Sequence, residues 1–158
     1  MWYKVAHCGR KWVSAMFMGE FSHNLDTKGR LIIPARFRAE LGEGLVLTIG
    51  LDGCLTLYTN ESWQKIYAQL SQLPTTKSQA RAFVRMLTSK ATSVEIDSQG
   101  RILIPSNLSK LANITKECVV IGAGSKVEIW AKDVWEQYIS DSQESFEELA
   151  ESLTEFML

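Results

Sequence analysis

The sequence predicts an α+β fold, mainly β, built from one supersecondary unit that occurs twice. Residues 26–34, Asp-Thr-Lys-Gly-Arg-Leu-Ile-Ile-Pro, recur as residues 97–105, Asp-Ser-Gln-Gly-Arg-Ile-Leu-Ile-Pro, and Trp63 matches Trp135 further along a similar register. Each copy has only about 40 residues, which is too few to bury an adequate core alone. We therefore expect the two copies to interleave as an intrachain pseudo-dimeric barrel.

The first half of each unit is predicted to be a strand, a tight turn and a returning strand. Val94 and Ile96 alternate with acidic residues, as in a half-buried strand, and residues 21–26 show a weaker version of this pattern. In the turn, an Asp side chain accepts backbone N–H bonds from residues further on, and Gly takes the position with φ > 0. The β-branched runs 31–33 and 102–104 predict the returning strands. The residues assigned to turn architecture are Asp26, Gly29, Asp97 and Gly100.

The second half of each unit is predicted to be a short helix followed by a β-hairpin. Pro34 and Pro105 suit the first position of a helix, where no N–H donor is needed. The hairpin turns are placed at residues 52–53 and 122–125. The two apolar positions and the terminating residue are Phe37, Leu41 and Gly42 in the first helix, and Leu108, Leu111 and Asn113 in the second.

Outside the repeats, the sequence predicts an extension, a linker and a tail. The first residues lack the apolar core of an export signal, so we expect them to be a non-structural extension, with Met16 or Met18 as an alternative start. The end of the chain has apolar residues at helical spacing, with acidic residues on the other face. The predicted division is an extension at 1–15, a first domain at 20–62, a helical linker at 63–90, a second domain at 91–134 and an acidic helical tail at 135–158.

The charge of the chain is balanced overall but unevenly distributed. There are 17 basic and 18 acidic residues, giving a net charge of -1, which excludes a strongly basic chain. All 17 basic residues precede residue 141 together with 12 of the acidic ones, so residues 1–140 carry +5 and the tail is purely acidic. No apolar run approaches the ~18–20 residues of a membrane helix, so no membrane partner is expected.

Patterns for catalysis, metals or cofactors are absent from the sequence. His7 and His23 are the only histidines, and no phosphate-binding loop or dinucleotide signature is present. The spacing of Cys8, Cys54 and Cys118 fits no zinc or redox motif, and the last two are expected to be buried apolar residues. We therefore expect a protein that is not an enzyme, with no cofactor and no metal.

The repeated Asp-x-x-Gly-Arg turn, followed by three apolar residues and Pro, then by a short helix and a hairpin, resembles the SpoVT-AbrB swapped-hairpin family. Two units in one chain, the opening at residues 16–21, the helical linker and the acidic tail make the chain similar to the MraZ family within that group. The resemblance covers residues 16 to about 150 and implies two tandem SpoVT-AbrB domains that bind DNA. Residues 1–15 depart from the family pattern.

The Gly-Arg step in both turns is the strongest functional signal. An Arg that only pairs with the nearby Asp is the alternative, but it does not explain why Arg follows Gly in both copies. A guanidinium on a rigid turn reaches a phosphate or binds guanine O6 and N7, and the resemblance implies that role. The two arginines of the first helix fit a solvated face and phosphate contact equally well. The predicted DNA-binding residues are Lys28, Gly29, Arg30, Arg36, Arg38, Gln99 and Arg101.

Because Lys28 has Gln99 as its counterpart, the first turn is expected to bind DNA more strongly than the second. Two turns neutralise about two to four phosphates, a weak contact set, so several protomers must act together. The resemblance implies a closed homo-oligomeric ring on promoter direct repeats, repression of the protein's own division and cell-wall operon, and a cytoplasmic, nucleoid-associated location. The alternative is an antitoxin-like protein-interaction module that uses the acidic tail.

Overall fold

The computed structural model describes residues 15–143 and 145–156, which form an α+β fold. The predicted extension lies outside these residues except for Ala15. The strands are β1 (Phe17–Asn24), β2 (Arg30–Ile32), β3 (Leu45–Ile49), β4 (Leu55–Tyr58), β5 (Thr92–Val94), β6 (Arg101–Leu103), β7 (Glu117–Gly124) and β8 (Val127–Ala131). The helices are α1 (Ala35–Leu41), α2 (Asn60–Leu70), α3 (Ser78–Lys90), α4 (Ser106–Leu111), α5 (Lys132–Gln143) and α6 (Phe146–Ser152), with 3-10 turns at Leu51–Gly53 and Thr154–Phe156.

Most strand pairings join one copy of the repeat to the other. The larger sheet has the order β1-β7-β8-β4-β3-β5, and the smaller is a β2–β6 ribbon, with every pair antiparallel. Among the strands of residues 15–143 and 145–156, only the hairpins β3–β4 and β7–β8 lie within one copy. The strand order is symmetric about the β8–β4 contact, because β1 and β5, β7 and β3, and β8 and β4 are repeat equivalents.

The predicted barrel closure is not seen in the described residues. Strands β1 and β5 are the two edges of the six-stranded sheet, and β5 has only three residues, all of which face β3. An edge strand this short presents few backbone groups to a further partner. The α+β class is therefore confirmed, whereas the architecture is two sheets and not a closed barrel.

The larger of two apolar clusters is shared by both copies. Leu31 and Ile102 lie opposite each other in the β2–β6 ribbon and are fully buried in the same cluster. Leu57 of β4 belongs to this cluster too, and the ring of Phe37 meets that of Phe17 edge to face, with centroids 5.7 Å apart. Burial of each such side chain stabilises the fold by about 1.5–3 kcal/mol. Because both copies contribute to this cluster, separating them would expose its side chains and lose this stabilisation.

The first helices of both copies begin one residue later than predicted. Pro34 and Pro105 take the N-cap position, with ψ of 136° and 143°, and their carbonyl oxygens accept the first helical N–H bonds. In α1, the predicted pair Phe37 and Leu41 is buried, and Gly42 ends the helix with φ of 67°, which a residue without Cβ adopts freely.

The predicted apolar pair of α4 is wrong in its second member. Leu108 is buried, but Leu111 is 52% exposed, and Ala112 takes the buried place. Ala112 follows Leu108 by four residues, which keeps it on the same face, and Asn113 then reverses the chain with φ of 56°. The sequence pattern favoured Leu111 over Ala112 because leucine is the larger apolar residue.

The two hairpins differ in length. In the first, the predicted turn is confirmed, and Asp52 and Gly53 have φ of 67° and 89°. In the second, the turn predicted at 122–125 is too long, because β7 continues to Gly124. Strand β1 pairs with β7 along its whole length, and Phe17 lies opposite Gly124. This pairing extends β7 into the residues predicted to form the turn.

The linker and tail segments contain two helices each. Helices α2 and α3 are separated by residues 71–77, which include Pro74. In the tail, the apolar side chains of α6 and the following turn are exposed: Phe146 is 72% and Phe156 is 81% accessible, and Leu149 and Leu153 about half. An exposed apolar face of this kind is typical of an interaction surface. Every helix that the structure describes is too short or too polar to cross a lipid bilayer.

The two described cysteines, Cys54 and Cys118, are buried, as predicted. Burial, with the nearby Glu128 carboxylate, raises the pKa of the Cys54 thiol to about 12, and burial raises the pKa of Cys118 to about 11. Because only the thiolate is nucleophilic, we expect neither to react with iodoacetamide at about pH 8 in the folded protein, whereas both should react in guanidinium chloride. Peptide mass mapping measures this, and equal labelling in both conditions would contradict it.

Candidate nucleic-acid interface

The first repeated turn is organised by the carboxylate of Asp26. Its Oδ1 accepts the N–H groups of Lys28 and Arg30, both at 2.9 Å, and its backbone carbonyl accepts the N–H of Gly29 at 3.0 Å. Gly29 has φ of 81°, a conformation that side chains with a Cβ rarely adopt. Because these bonds fix the backbone on both sides of Gly29, Arg30 leaves the turn in a defined direction.

The second turn repeats this geometry. Oδ1 of Asp97 accepts the N–H groups of Gln99 and Arg101, both at 2.9 Å, and the Asp97 carbonyl accepts the N–H of Gly100 at 3.0 Å. Gly100 has φ of 80°. The two copies therefore present their arginines from almost identical supports, although Lys28 of the first turn has Gln99 as its counterpart.

Each arginine uses one of its donors inside its own turn. The Nε of Arg30 donates to Asp26 Oδ2 at 2.7 Å, and the Nε of Arg101 donates to Asp97 Oδ2 at 2.9 Å. This is the internal ion pair that composition alone suggested as an alternative to a DNA contact. The two arrangements are compatible, because a guanidinium has five N–H donors and the terminal nitrogens of both arginines have no partner among the described residues.

The two turns meet on one short ribbon. In the β2–β6 pair, Arg30 lies opposite Leu103 and Arg101 lies opposite Ile32, so the arginines are two residues out of register. From strand rise and spacing, their Cα atoms are about 8 Å apart. Opposite residues point to the same face, so both arginines lie on the side of the ribbon away from buried Leu31. One protomer thus presents a single surface with two guanidinium groups.

A side chain of the first copy covers the second turn. The guanidinium of Arg38, on α1, fills the space that a Cβ on Gly100 would take, with Cζ 2.7 Å from that position. Gly29 has no such cover; the nearest atoms to its Cβ position are the Ile104 carbonyl oxygen at 3.2 Å and the Leu103 side chain at 3.8 Å. The side chain of Arg38 has no acceptor among the described residues, so its charge is added to the second turn.

The other predicted DNA-binding residues occupy different places. Lys28 and Gln99 are exposed at the tips of their turns. Arg36 is exposed on α1, and its Nη1 lies 3.7 Å from the Cβ position of Gly19 in β1, apart from both turns. The structure therefore places Lys28 and Gln99 at the tips of the two turns, Arg38 over the second turn and Arg36 beside β1.

Two residues of the ribbon surface were not identified from the sequence. Ile32 and Leu103 are exposed on the same face as Arg30 and Arg101, although their neighbours in sequence are buried. The available signal was the period of two along a strand: residues two apart share a face, so Ile32 follows Arg30 and Leu103 follows Arg101. Both lie within continuous apolar runs, whose composition does not distinguish outward positions from buried ones.

The carboxylates of the turns have lowered pKa values. In each turn the backbone N–H of the arginine is the largest cause, and its guanidinium adds to it, so the pKa of Asp26 and of Asp97 lies below the ordinary value. A lowered folded-state pKa means that the turn is stabilised above the ordinary pKa of about 3.9 and loses this stabilisation as pH falls through the folded value.

We therefore expect the carboxyl resonances of Asp26 and Asp97 to titrate at lower pH in the folded protein than in a peptide of residues 24–32 or 95–103. Carbon-13 NMR from about pH 2 to 7 measures both midpoints. A midpoint equal to that of the peptide would show that the turn bonds do not persist in solution.

The described residues hold no cluster of three His, Cys, Asp or Glu side chains placed to bind a metal ion. The carboxylates beside the ribbon arginines, Asp26 and Asp97, already accept the arginine Nε groups, and the remaining N–H groups of the two guanidinium ions are donors suited to anions and base edges.

One comparison with known families gives a match. A family model described as "MraZ protein, putative antitoxin-like" matches the chain twice in succession, at residues 16–86 and 87–157. Each match contains one of the two repeated turns, and together they span almost all of the chain.

Proposed function

The chain belongs to the MraZ family, a family of regulators that are not enzymes, and on this premise we propose that it is a sequence-specific DNA-binding transcriptional regulator. The observation that carries the proposal is the pair of half-buried arginines on the outer face of one ribbon, each held by its turn through Nε and each with its terminal nitrogens free of partners among the described residues. A rigid, preorganised donor pair is what bidentate contact with guanine or phosphate requires.

The ribbon is proposed to enter the major groove of double-stranded DNA. A groove about 12 Å wide admits a two-stranded β-ribbon, and the free end of each guanidinium is then directed at the base edges. Lys28, Gln99 and Arg38 lie around the ribbon, where contacts with the backbone phosphates position the protein without carrying sequence information. Gly29 and Gly100 act by permitting the turns, and Arg36 is placed to meet a phosphate at the side of the ribbon.

Binding is proposed to require a closed ring of protomers on promoter direct repeats. One ribbon offers few positive charges, and strong DNA binding uses about six to ten phosphate contacts. Protomers joined in a ring gain about 10²–10⁴-fold in avidity when adjacent ribbons engage successive repeats. The exposed apolar side chains of the tail, Phe146 and Leu149 among them, support an assembly through this segment.

Occupying a promoter in this way represses transcription, and the proposed target is the operon that encodes the protein itself, with its division and cell-wall genes. This assigns the protein to the bacterial cytoplasm and the nucleoid. Within the two matched repeats, we assign residues 20–62 and 91–134 to the DNA-binding domains, and 63–90 and 135–158 to helical attachments.

An antitoxin-like interaction module is the second candidate. It is favoured by the description of the family model and by the acidic, amphipathic tail, which suits a partner with a basic apolar groove. In this function the ribbon serves autoregulation and the tail binds another protein.

The proposal is tested with DNA from just upstream of the protein's own reading frame. We expect a discrete retarded complex in a gel shift, competed by unlabelled duplex with the direct repeats and not by a scrambled duplex, and a native mass that shows an oligomer. Equal competition by both duplexes would contradict sequence-specific binding.

A further inference from the structure

Two large apolar side chains lie in solvent between the arginines of the ribbon. Ile32 is 43% and Leu103 is 57% exposed, and they share the outward face with Arg30 and Arg101. The four form a compact patch in which each arginine has an apolar residue directly across the ribbon. Polar residues are the ordinary choice at outward strand positions, so this pattern calls for a partner with both anionic and apolar character.

The surroundings of the patch decide the class of partner. Two guanidinium groups flank the apolar pair, and Lys28 and Arg38 stand at the neighbouring turns, so an apolar protein surface would have to bury unpaired cations. The acidic tail of this chain does not offer both kinds of contact at once, because its apolar and acidic residues lie on opposite faces of a helix. The major groove of DNA supplies acceptors for the cations and one apolar group on its floor, the C5-methyl of thymine. The charge and shape of the patch therefore fit duplex DNA.

We propose that Ile32 and Leu103 contact thymine methyl groups beside the guanines bound by Arg30 and Arg101, an inference that rests on the proposed DNA-binding function. Directly opposite residues of an antiparallel pair lie about 5 Å apart, and base pairs are stacked about 3.4 Å apart. Each methyl contact therefore falls one or two base pairs from a guanine contact. The apolar pair thus gives the ribbon a preference for thymine next to guanine, which the arginines alone do not supply.

The test compares thymine with deoxyuridine, which lacks only the methyl group. The probe is the tightest-binding duplex selected from a random pool by the wild-type protein, with each thymine of the repeats replaced by deoxyuridine. Removing one buried methyl lowers affinity about fourfold, and the effect is repeated at each bound ribbon. In a filter-binding or anisotropy titration, we expect the wild-type protein to bind the deoxyuridine duplex more weakly than the thymine duplex by this factor.

The matching protein variant carries Ile32→Ser and Leu103→Ser. It should bind both duplexes alike, with a thermal midpoint only slightly below that of wild type, because Ile32 and Leu103 are 43% and 57% exposed. Arg36→Ala, on the neighbouring helix, is the control; it should weaken binding to both duplexes and keep the preference for thymine.

The outcomes separate the two proposals. Wild type that binds the selected duplex with and without methyl groups equally, or a selected sequence without thymine near guanine, overturns the methyl contact and leaves DNA binding intact. A protein that selects no duplex at all overturns both. A thymine preference that survives the double serine substitution assigns methyl recognition to other residues and overturns the role of this pair.

Discussion

Arg30→Ala is expected to reduce the affinity for promoter repeats to the level of non-specific binding. One charge-assisted hydrogen bond contributes about 1.5–3 kcal/mol, which is roughly ten- to hundredfold, and the loss is repeated at every ribbon of the assembly. The turn itself should survive, because Asp26 keeps its bonds to two backbone N–H groups, at 2.9 Å each. Fluorescence anisotropy at matched oligomeric state measures the effect.

Two variants control for simple loss of charge. Lys65→Ala removes one positive charge from an exposed ion pair with Glu61 on α2, away from the ribbon, and should bind DNA nearly as wild type does. Arg30→Lys keeps the charge but loses the planar fork, so an intermediate affinity indicates bidentate recognition. Equal binding by wild type and Arg30→Ala would refute the role of the ribbon.

The salt dependence of the same titrations distinguishes the two kinds of contact. If Arg30 binds a phosphate, the slope of log affinity on log salt should become shallower by about 0.9 per protomer in the alanine variant. If it binds guanine, affinity and sequence preference fall while the slope changes little.

Arg101→Ala gives an internal comparison. The exchange of Lys28 for Gln99 predicts a smaller effect than at Arg30, but Arg38 covers Gly100 and supports the second turn. The difference between the two arginines should therefore widen in an Arg38→Ala background. An effect of Arg101→Ala that exceeds that of Arg30→Ala would reverse the predicted order.

The turns were predictable because their bonds are local. Asp26 contacts residues two and four positions further on, so the Asp-x-x-Gly-Arg pattern contains the bonds of the aspartate. The same holds for Gly42, which ends α1. The turn pattern does not contain the bonds between the copies, in which the carbonyls of Gly29 and Gly100 accept the N–H groups of Ile104 and Ile33, both at 2.8 Å. Local determinants were not always sufficient, because Leu111 was predicted to be buried where Ala112 is, although both lie within four residues of Leu108.

The remaining features depend on contacts between residues far apart in the chain. Strand β7 is lengthened by β1, which lies about a hundred residues earlier, and Arg38 meets Gly100 only because the copies interleave. The place of Ile32 and Leu103 beside the arginines follows from the register of β2 against β6. A single sequence does not specify that register, so these contributions to the candidate site were missed.

Because the two copies interleave, both arginines of one chain belong to one surface. Two turns that lie 71 positions apart in sequence suggest two separate DNA contacts, whereas the ribbon places the Cα atoms of their arginines about 8 Å apart on one surface. If the proposed function holds, a protomer covers one short element of the operator. Specificity and affinity would then come from several protomers, which would make the assembly as important as the arginines.

Accordingly, Phe146→Ser combined with Leu149→Ser is expected to break the oligomer and to weaken promoter binding by about 10²–10⁴-fold. Both side chains are exposed in the single chain, so the thermal midpoint of the body should hardly change. Native mass spectrometry gives the oligomeric state, and anisotropy on the same sample gives the affinity. Leu51→Ser, at an exposed hairpin tip, is the matched control and should retain both.

The oligomeric state and the DNA affinity of this variant together show what the tail does. Monomers that still bind the repeats with wild-type affinity would show that a single ribbon suffices and would remove the need for a ring. An unchanged oligomer would show that other surfaces join the protomers, leaving the apolar face of the tail free for the protein partner of the antitoxin-like alternative. Joint loss of assembly and DNA affinity links the two through avidity, because neither substituted side chain lies on the ribbon.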